Sequence, residues 1–283
     1  MTYETLHYDV PSEIAWIKLD RPQKLNALNR QAIEELHACF QEIAAAKKQP
    51  KTPIVELFRR HGLLVIIAAL IFAGNNAAGY MATGGFIPSY AAGPAVGHER
   101  TDVLLAVTYG AGIWLVFTYL AGYLSDRIGR KNTYFIGFGA QLLACFPLFW
   151  LINTGSLPML YVAMTIFTVG LGLSYGQQAA LYSEMFPASV RFSGVSISYA
   201  LGAILGGAFA PTIATALVQA TGGTDAVSWY LVGMTLLSLV AVALVKDRSG
   251  IDLSIRNQAE QEVGALVFDR RTPDTSNVPV RTR

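Results

Sequence analysis

In the hinge between two long apolar stretches the chain reads Gly122-Tyr123-Leu124-Ser125-Asp126-Arg127-Ile128-Gly129-Arg130-Lys131. A carboxylate, Asp126, stands four residues before the guanidinium of Arg130, and Arg127 and Lys131 add two cations. Gly122 and Gly129 permit a close approach and a tight turn. Asp126 is expected near a helix N-terminus, where unsatisfied N–H groups favour a carboxylate. Arg130 can reach a second acid. Glu184 and Arg191, seven residues apart near the ends of the fourth and fifth apolar stretches, could bridge two helix ends or form an incidental interfacial pair. Ion pairs partly shielded from water can latch helices in one of two arrangements. That is gating chemistry rather than bond-making chemistry. Cys39, Cys145 and the four scattered histidines stand at no metal-ligand spacing, so no metal site, cofactor or catalytic residue is expected.

A second group of residues interrupts the apolar stretches themselves. Asn75, Asn76 and Tyr80 fall in the first, Gln141 in the third, and Tyr175, Gln177 and Gln178 in the fourth. Polar side chains are costly in lipid, so they either face a cavity or hydrogen-bond to neighbouring helices. In the first role they would contact a small polar solute. Glycines 74, 79, 84 and 85 beside them suggest a bent first stretch. Gly202, Gly206, Gly207 and Ala210 in the fifth read as packing. No Asp, Glu, Lys, Arg or His falls at mid-depth in any stretch, although proton coupling needs a titratable group near the path.

The elements that must position these residues follow from composition. The chain is 283 residues long, 53% hydrophobic and 14% charged, against about 25% charged in soluble domains. A net charge of +2, with no Lys/Arg run interleaved with aromatics, is too small to suggest a nucleic-acid partner. A bilayer core of about 30 Å needs roughly 20 apolar residues of helix. Six such spans are expected at Gly62–Phe86, Val103–Leu124, Thr133–Ile152, Leu157–Tyr182, Val195–Val218 and Ser228–Val245. The fold class is therefore an all-α membrane protein, a six-helix bundle. Lys47, Lys48, Lys51, Arg59 and Arg60 precede the first span, and Arg127, Arg130, Lys131, Arg191, Lys246 and Arg248 fall on the same side, with only Arg100 opposite. By the positive-inside rule both termini are expected in the cytoplasm of a multi-pass inner-membrane protein. No basic, apolar leader opens the chain, so insertion is expected to start at the first span. Residues 47–61 read as a basic connector whose Ile54, Val55, Leu57 and Phe58 could lie on the membrane face. Residues 247–283 read as a loose polar tail.

The hinge pattern Gly-x-Leu-x-Asp-x-x-Gly-Arg-Lys resembles the signature loop of the major facilitator superfamily. The segments Tyr182-Ser-Glu-Met-Phe-Pro-Ala-Ser-Val-Arg-Phe-Ser-Gly-Val-Ser-Ile-Ser-Tyr199 and Gly206-Gly-Ala-Phe-Ala-Pro-Thr-Ile-Ala214 are similar to its metabolite–proton symporters. Over residues 50–248 the resemblance implies the carboxyl-terminal six helices of a twelve-helix fold. It implies a transporter of organic acids, betaines or related solutes, with protons as a coupling partner, and a charge cluster holding one access state. A parallel homodimer or a separate amino-terminal half would complete the six helices.

Residues 1–46 read differently. Tyr3–Val10 and Ile14–Leu19 are β-prone runs around Pro11-Ser12, a hairpin. Asn29 is an N-cap for a helix to Ala46, with Ile33, Leu36, Phe40 and Ile43 at helical spacing. Ile14-Ala-Trp-Ile-Lys-Leu-Asp-Arg-Pro-Gln-Lys-Leu-Asn-Ala-Leu-Asn29 and Glu34-Glu-Leu36 resemble the start of the enoyl-CoA hydratase/isomerase (crotonase) family. That family's catalytic groups lie further downstream, so no acyl-CoA activity is expected. The change of character near Lys47-Lys-Gln-Pro50 reads as an in-frame fusion, and an inert fusion is the alternative to a transporter half.

Overall fold

The computed structural model describes residues 6–9, 16–19, 29–46, 53–254 and 257–271. The turn at Pro11-Ser12, the lysines of 47–51 and residues 272–283 lie outside them. The chain divides into two compact units, Met1–Thr52 and Pro53–Arg283.

In the first unit, β1 (Leu6–Asp9) and β2 (Trp16–Leu19) pair antiparallel, with Leu6 opposite Leu19 and Asp9 opposite Trp16. Helix α1 (Arg30–Ala46) starts where Asn29 Oδ1 accepts a hydrogen bond from the Ala32 amide at 2.9 Å, the N-cap expected of an asparagine there. Its buried positions differ from the expected stripe. Ala32 and Cys39 are fully buried, while Ile33 and Phe40, one position on, are exposed. Small side chains seven residues apart let this face of the helix approach its neighbours closely.

In the second unit, six helical segments among the described residues are long and apolar enough to cross a membrane. The first comprises α2 (Pro53–Thr83) and α3 (Phe86–Ala91), separated by Gly85 at φ 147°. Its bends lie there and at His61, where the backbone leaves helical geometry, and not around Asn75. The second is α4 (Arg100–Ile128) and the third α5 (Arg130–Ile152), joined by Gly129 alone. The fourth is α6 (Leu157–Tyr175) and α7 (Gln178–Met185), interrupted at Gly176-Gln177. The fifth is α8 (Arg191–Ala203), a π-helical turn over Ile204–Ala208 and α9 (Ala210–Thr221). Pro211, with no N–H to donate, prevents a regular ladder from crossing this junction. The sixth is α10 (Asp225–Leu244).

Helix α2 packs against both α8 and α10, and α6 against both α4 and α5. The first span is the most buried of the six and the second the least. Small residues explain the position of α2: Ala68, Ala69, Ala73, Ala77 and Ala78 are all buried. The fifth span answers with glycine. A Cβ on Gly206 would fall on the Ala73 carbonyl, and one on Gly202 would lie 2.6 Å from Ala69 O. The glycine ladder is thus a packing device, as its spacing implied.

The segment after α10 departs from the loose tail expected for it. Val245 bridges Leu266 in antiparallel register, with Lys246 N donating to Ala265 O at 3.0 Å and Val267 N to Leu244 O at 2.9 Å. Gln261, Ala265 and Leu266 are buried. Residues 245–254 and 257–271, with the short helix α11 (Gln258–Gln261), form a strap across one end of the bundle. The polar composition that suggested a loose tail is used in hydrogen bonds to helix ends.

Candidate functional site

Arg130, the first residue of α5, stands at a junction of three helices. Its guanidinium pairs with Asp126 in the last turn of α4, donates to Ser125 Oγ at 2.6 Å, and lies 3.3 Å from Glu184 Oε1 on α7. The side chains of Arg130 and Glu184 are 14% and 7% exposed, that of Asp126 67%. The hinge arginine therefore reaches the second acid expected for it. That acid's other oxygen, Oε2, is buried without a protein partner. Arg127 lies over the Tyr123 ring, 4.4 Å from its centroid. Gly122 faces the interruption of the fourth span, where a Cβ would meet Gly176 O at 3.8 Å.

Two expectations are corrected here. Asp126 does not serve a helix N-terminus; it belongs to the C-terminal turn of α4. The exposed start of α5 is instead satisfied by Asp247, whose Oδ2 accepts from the Lys131 amide at 3.1 Å. In return Lys131 Nζ donates to Ala243 O at 2.7 Å and Val245 O at 3.0 Å, closing the C-terminal end of α10. Burial alone would raise the Asp247 carboxyl, but hydrogen bonds from Ser249 and Lys131 hold it below the ordinary carboxylate range. Gly129 makes this exchange sterically feasible: its φ of 93° is left-handed territory, and any Cβ there would strike the Asp247 carboxylate.

The second correction concerns Glu184 and Arg191, which do not pair. Glu184 meets Arg130. Arg191 Nε donates to Ser183 O at 2.9 Å and Phe186 O at 3.2 Å, capping α7. Its two terminal nitrogens hold the strap, at Leu253 O (2.9 Å) and Gln261 Oε1 (2.8 Å). Gln261 Oε1 also accepts from Ala188 N at 2.8 Å, and its Nε2 donates to Asp252 O and Ser254 O, each at 2.7 Å. Asp247 and Gln261 thus tie the α4–α5 hinge and the α7–α8 turn into one strap. Neither residue carried a sequence signal beyond lying in a polar segment.

Within the spans, the polar residues divide. Asn75 Nδ2 donates to Leu171 O (3.0 Å) and Ser174 Oγ (2.7 Å) on α6. Gln141 Nε2 donates to Gly74 O (3.3 Å) and Thr235 Oγ1 (2.8 Å), joining α5 to α2 and α10. Both are buried and engaged in helix–helix bonding, although Gln141 Oε1 is buried with no protein partner. Asn76 Nδ2, Gln178 Nε2 and both amide atoms of Gln177 are buried with no protein partner. Such an orphan costs about 1–3 kcal/mol unless a water or a ligand meets it. Tyr80 is half exposed, its ring against Gly207. The Tyr175 and Tyr199 hydroxyls lie 2.8 Å apart. The Phe72 ring is 4.1 Å from that of Tyr199, and Trp114 is 6.2 Å from Tyr175. Phe72, Trp114 and Tyr199 escaped sequence reasoning because an aromatic residue in an apolar stretch resembles any other.

Six helical segments long and apolar enough to cross a membrane, with an arginine-centred charge set at one end, define a multi-pass membrane protein. Residues 13–204 match the Major Facilitator Superfamily, and the chain belongs to that superfamily. It is similar to the inner membrane metabolite transport protein YhjE of Escherichia coli (strain K12), 34% identical over 214 residues, which cover 74% of this chain and 48% of that protein. It is also similar to the ectoine/proline transporter ProP of Corynebacterium glutamicum, 28% identical over 73% of this chain and 42% of the relative. The shikimate transporter of Escherichia coli (strain K12) is 29% identical over 72% of this chain and 46% of its own length. The chain thus spans about half the length of these relatives.

Proposed function

We propose that this chain is half of a transporter for a small polar metabolite of the organic acid or betaine type. A second copy or a separate amino-terminal half completes it. The observation that carries this reading is Arg130, held between Asp126 on α4 and Glu184 on α7. A charge set between helix ends stabilises one arrangement of those helices, and alternating access needs such a device. Gly122, Asp126, Arg127, Gly129, Arg130, Lys131, Glu184 and Arg191 form the gating end, with both termini cytoplasmic by their excess of cations.

The solute path runs by Asn76, Tyr80, Tyr175, Gln177 and Gln178, where orphaned amides and phenols supply polar contacts. Asn75 and Gln141 shape it by fixing helix positions. The aromatic rings of Phe72, Trp114, Tyr175 and Tyr199 suit a quaternary ammonium group. The names of the relatives, which include transporters of ectoine, proline and shikimate, agree with a small solute. Protons are the coupling partner this reading names.

A second reading is an inert fusion that inserts without transporting. Its motive is the resemblance of residues 14–29 and 34–36 to the crotonase family, which the family match does not support. The superfamily match from residue 13 onward weighs against it. Trp114 provides a test of the path. Titrating the purified chain with betaines and organic acids should change tryptophan emission at saturation, and Trp114→Phe should abolish the change. An unchanged spectrum with every solute would remove this assignment of the path.

A further inference from the structure

Where α2 breaks at His61 (φ −127°, ψ 16°), a groove of about 550 Å³ opens between α2 and the strap. Arg60, Leu63 and Leu64 form one wall, and Leu266, Phe268 and Arg270 the other. Leu63 and Phe268 are exposed, as are Phe58 and Ile66 on α2 and Val267 on the strap, so the groove opens onto apolar surface. Its acids are engaged within the strap. Asp269 pairs with Arg271 at 2.8 Å and accepts from Gly264 N at 2.9 Å, and Glu262 accepts from Gln258 at 2.8 Å. The first membrane-crossing segment starts at Leu57 and runs for 35 residues, well beyond the roughly 20 that span a bilayer core. A segment of that length extends beyond the core, and the cations Arg59 and Arg60 at its start favour its first turns for the headgroup layer. A site with an apolar lip, two arginines and that depth matches one class of ligand.

We propose that this groove seats an anionic phospholipid, with its phosphate against Arg60 and Arg270 and an acyl chain along Leu63 and Phe268. Zwitterionic lipid offers the same chain without the net charge. The lining also includes Met185 of α7 and Gln261 of the strap. A seated lipid therefore braces the strap against the end of the fourth span, beside the Glu184 carboxylate.

The test is native mass spectrometry of the delipidated full chain, titrated with phosphatidylglycerol or phosphatidylcholine at matched ionic strength. The groove's three arginines less Glu262 and Asp269 leave one net positive charge, which at the usual membrane contribution implies about a fivefold preference for the anionic lipid. The double variant Arg60→Gln/Arg270→Gln should lower that preference to within about twofold, while Arg100→Gln at the opposite end leaves it unchanged. Should the double variant misfold, Arg270→Gln alone, at an exposed position, is expected to weaken phosphatidylglycerol binding about fivefold. Equal binding of the two lipids by the wild type would overturn the proposal, as would full retention of the preference in the arginine variants. Competition by inorganic phosphate as strong as by lipid would reassign the site to a free anion. Binding seen only after removal of residues 272–283 would make the chain's own terminus the occupant. Either result would overturn the lipid assignment.

Discussion

The Arg130 guanidinium lies 3.3 Å from the Glu184 carboxylate, and both side chains are largely withdrawn from solvent at the ends of α5 and α7. The pair is asymmetric. Arg130 has further partners in Ser125 and Asp126, whereas the Glu184 carboxylate has no other among the described residues, and its Oε2 takes none. Loss of the arginine therefore leaves a withdrawn charge unpaired, while loss of the acid does not.

This asymmetry gives the first prediction. Arg130→Ala should destabilise the folded chain by about 3–5 kcal/mol, the cost of stranding a buried partner. Glu184→Gln should cost much less. The double variant should recover part of the Arg130→Ala loss, visible as a coupling term in a double-mutant cycle of denaturant unfolding in detergent. Equal, additive losses would show that the two groups act independently.

Gly129→Ala should be more harmful than its size suggests. The residue needs φ 93°, and a Cβ would displace Asp247 from the start of α5. Hydrogen exchange should accelerate at the Lys131 amide and through residues 245–254. Unchanged protection there would mean that Asp247 does not hold the helix start.

Gln261→Leu removes the acceptor shared by Arg191 and the Ala188 amide. Two donors then lose their partner in a half-buried site, each costing about 1–3 kcal/mol. The expected result is a lower unfolding midpoint and a strap cleaved by trypsin after Lys246 or Arg248. Wild-type resistance to trypsin would contradict the role assigned to Gln261.

The strap should also respond to acid. Asp247 and Asp269 both titrate below the ordinary carboxylate range, Asp269 chiefly through its hydrogen bonds with Arg271. A depressed folded pKa means stability that is fully present above the unfolded value and lost as pH falls through the folded one. The strap should therefore stay protected from hydrogen exchange at neutral pH and open only below about pH 4, the unfolded carboxylate value. Opening between neutrality and that point would assign the transition to other groups.

The fold was largely legible because lipid imposes a crude rule. Twenty apolar residues are conspicuous, so the six spans were readable from Gly62 to Val245. Interruptions inside them were not. The break at Gly176-Gln177 goes with close packing of Gly176 on α4, which no local pattern reports, whereas the π-helical turn at 204–208 precedes Pro211, a signal the sequence does carry. The charge set was readable as a list of residues but not as pairs. Glu184 and Arg191 are close in sequence, yet Arg130, 54 residues from Glu184, reaches the acid. The strap was misjudged because a polar segment satisfying helix ends has the composition of one satisfied by water.

The most direct measurement is uptake of labelled organic acids and betaines into proteoliposomes, with and without a pH gradient. The chain would be tested alone and with an amino-terminal half, beside Asp126→Asn and Arg130→Ala. The account predicts uptake of at least one solute that increases with the gradient and falls in both variants while insertion is retained. No uptake in either arrangement despite verified insertion would contradict a transporter half, and full uptake in both variants would contradict the gating role of the Arg130 charge set.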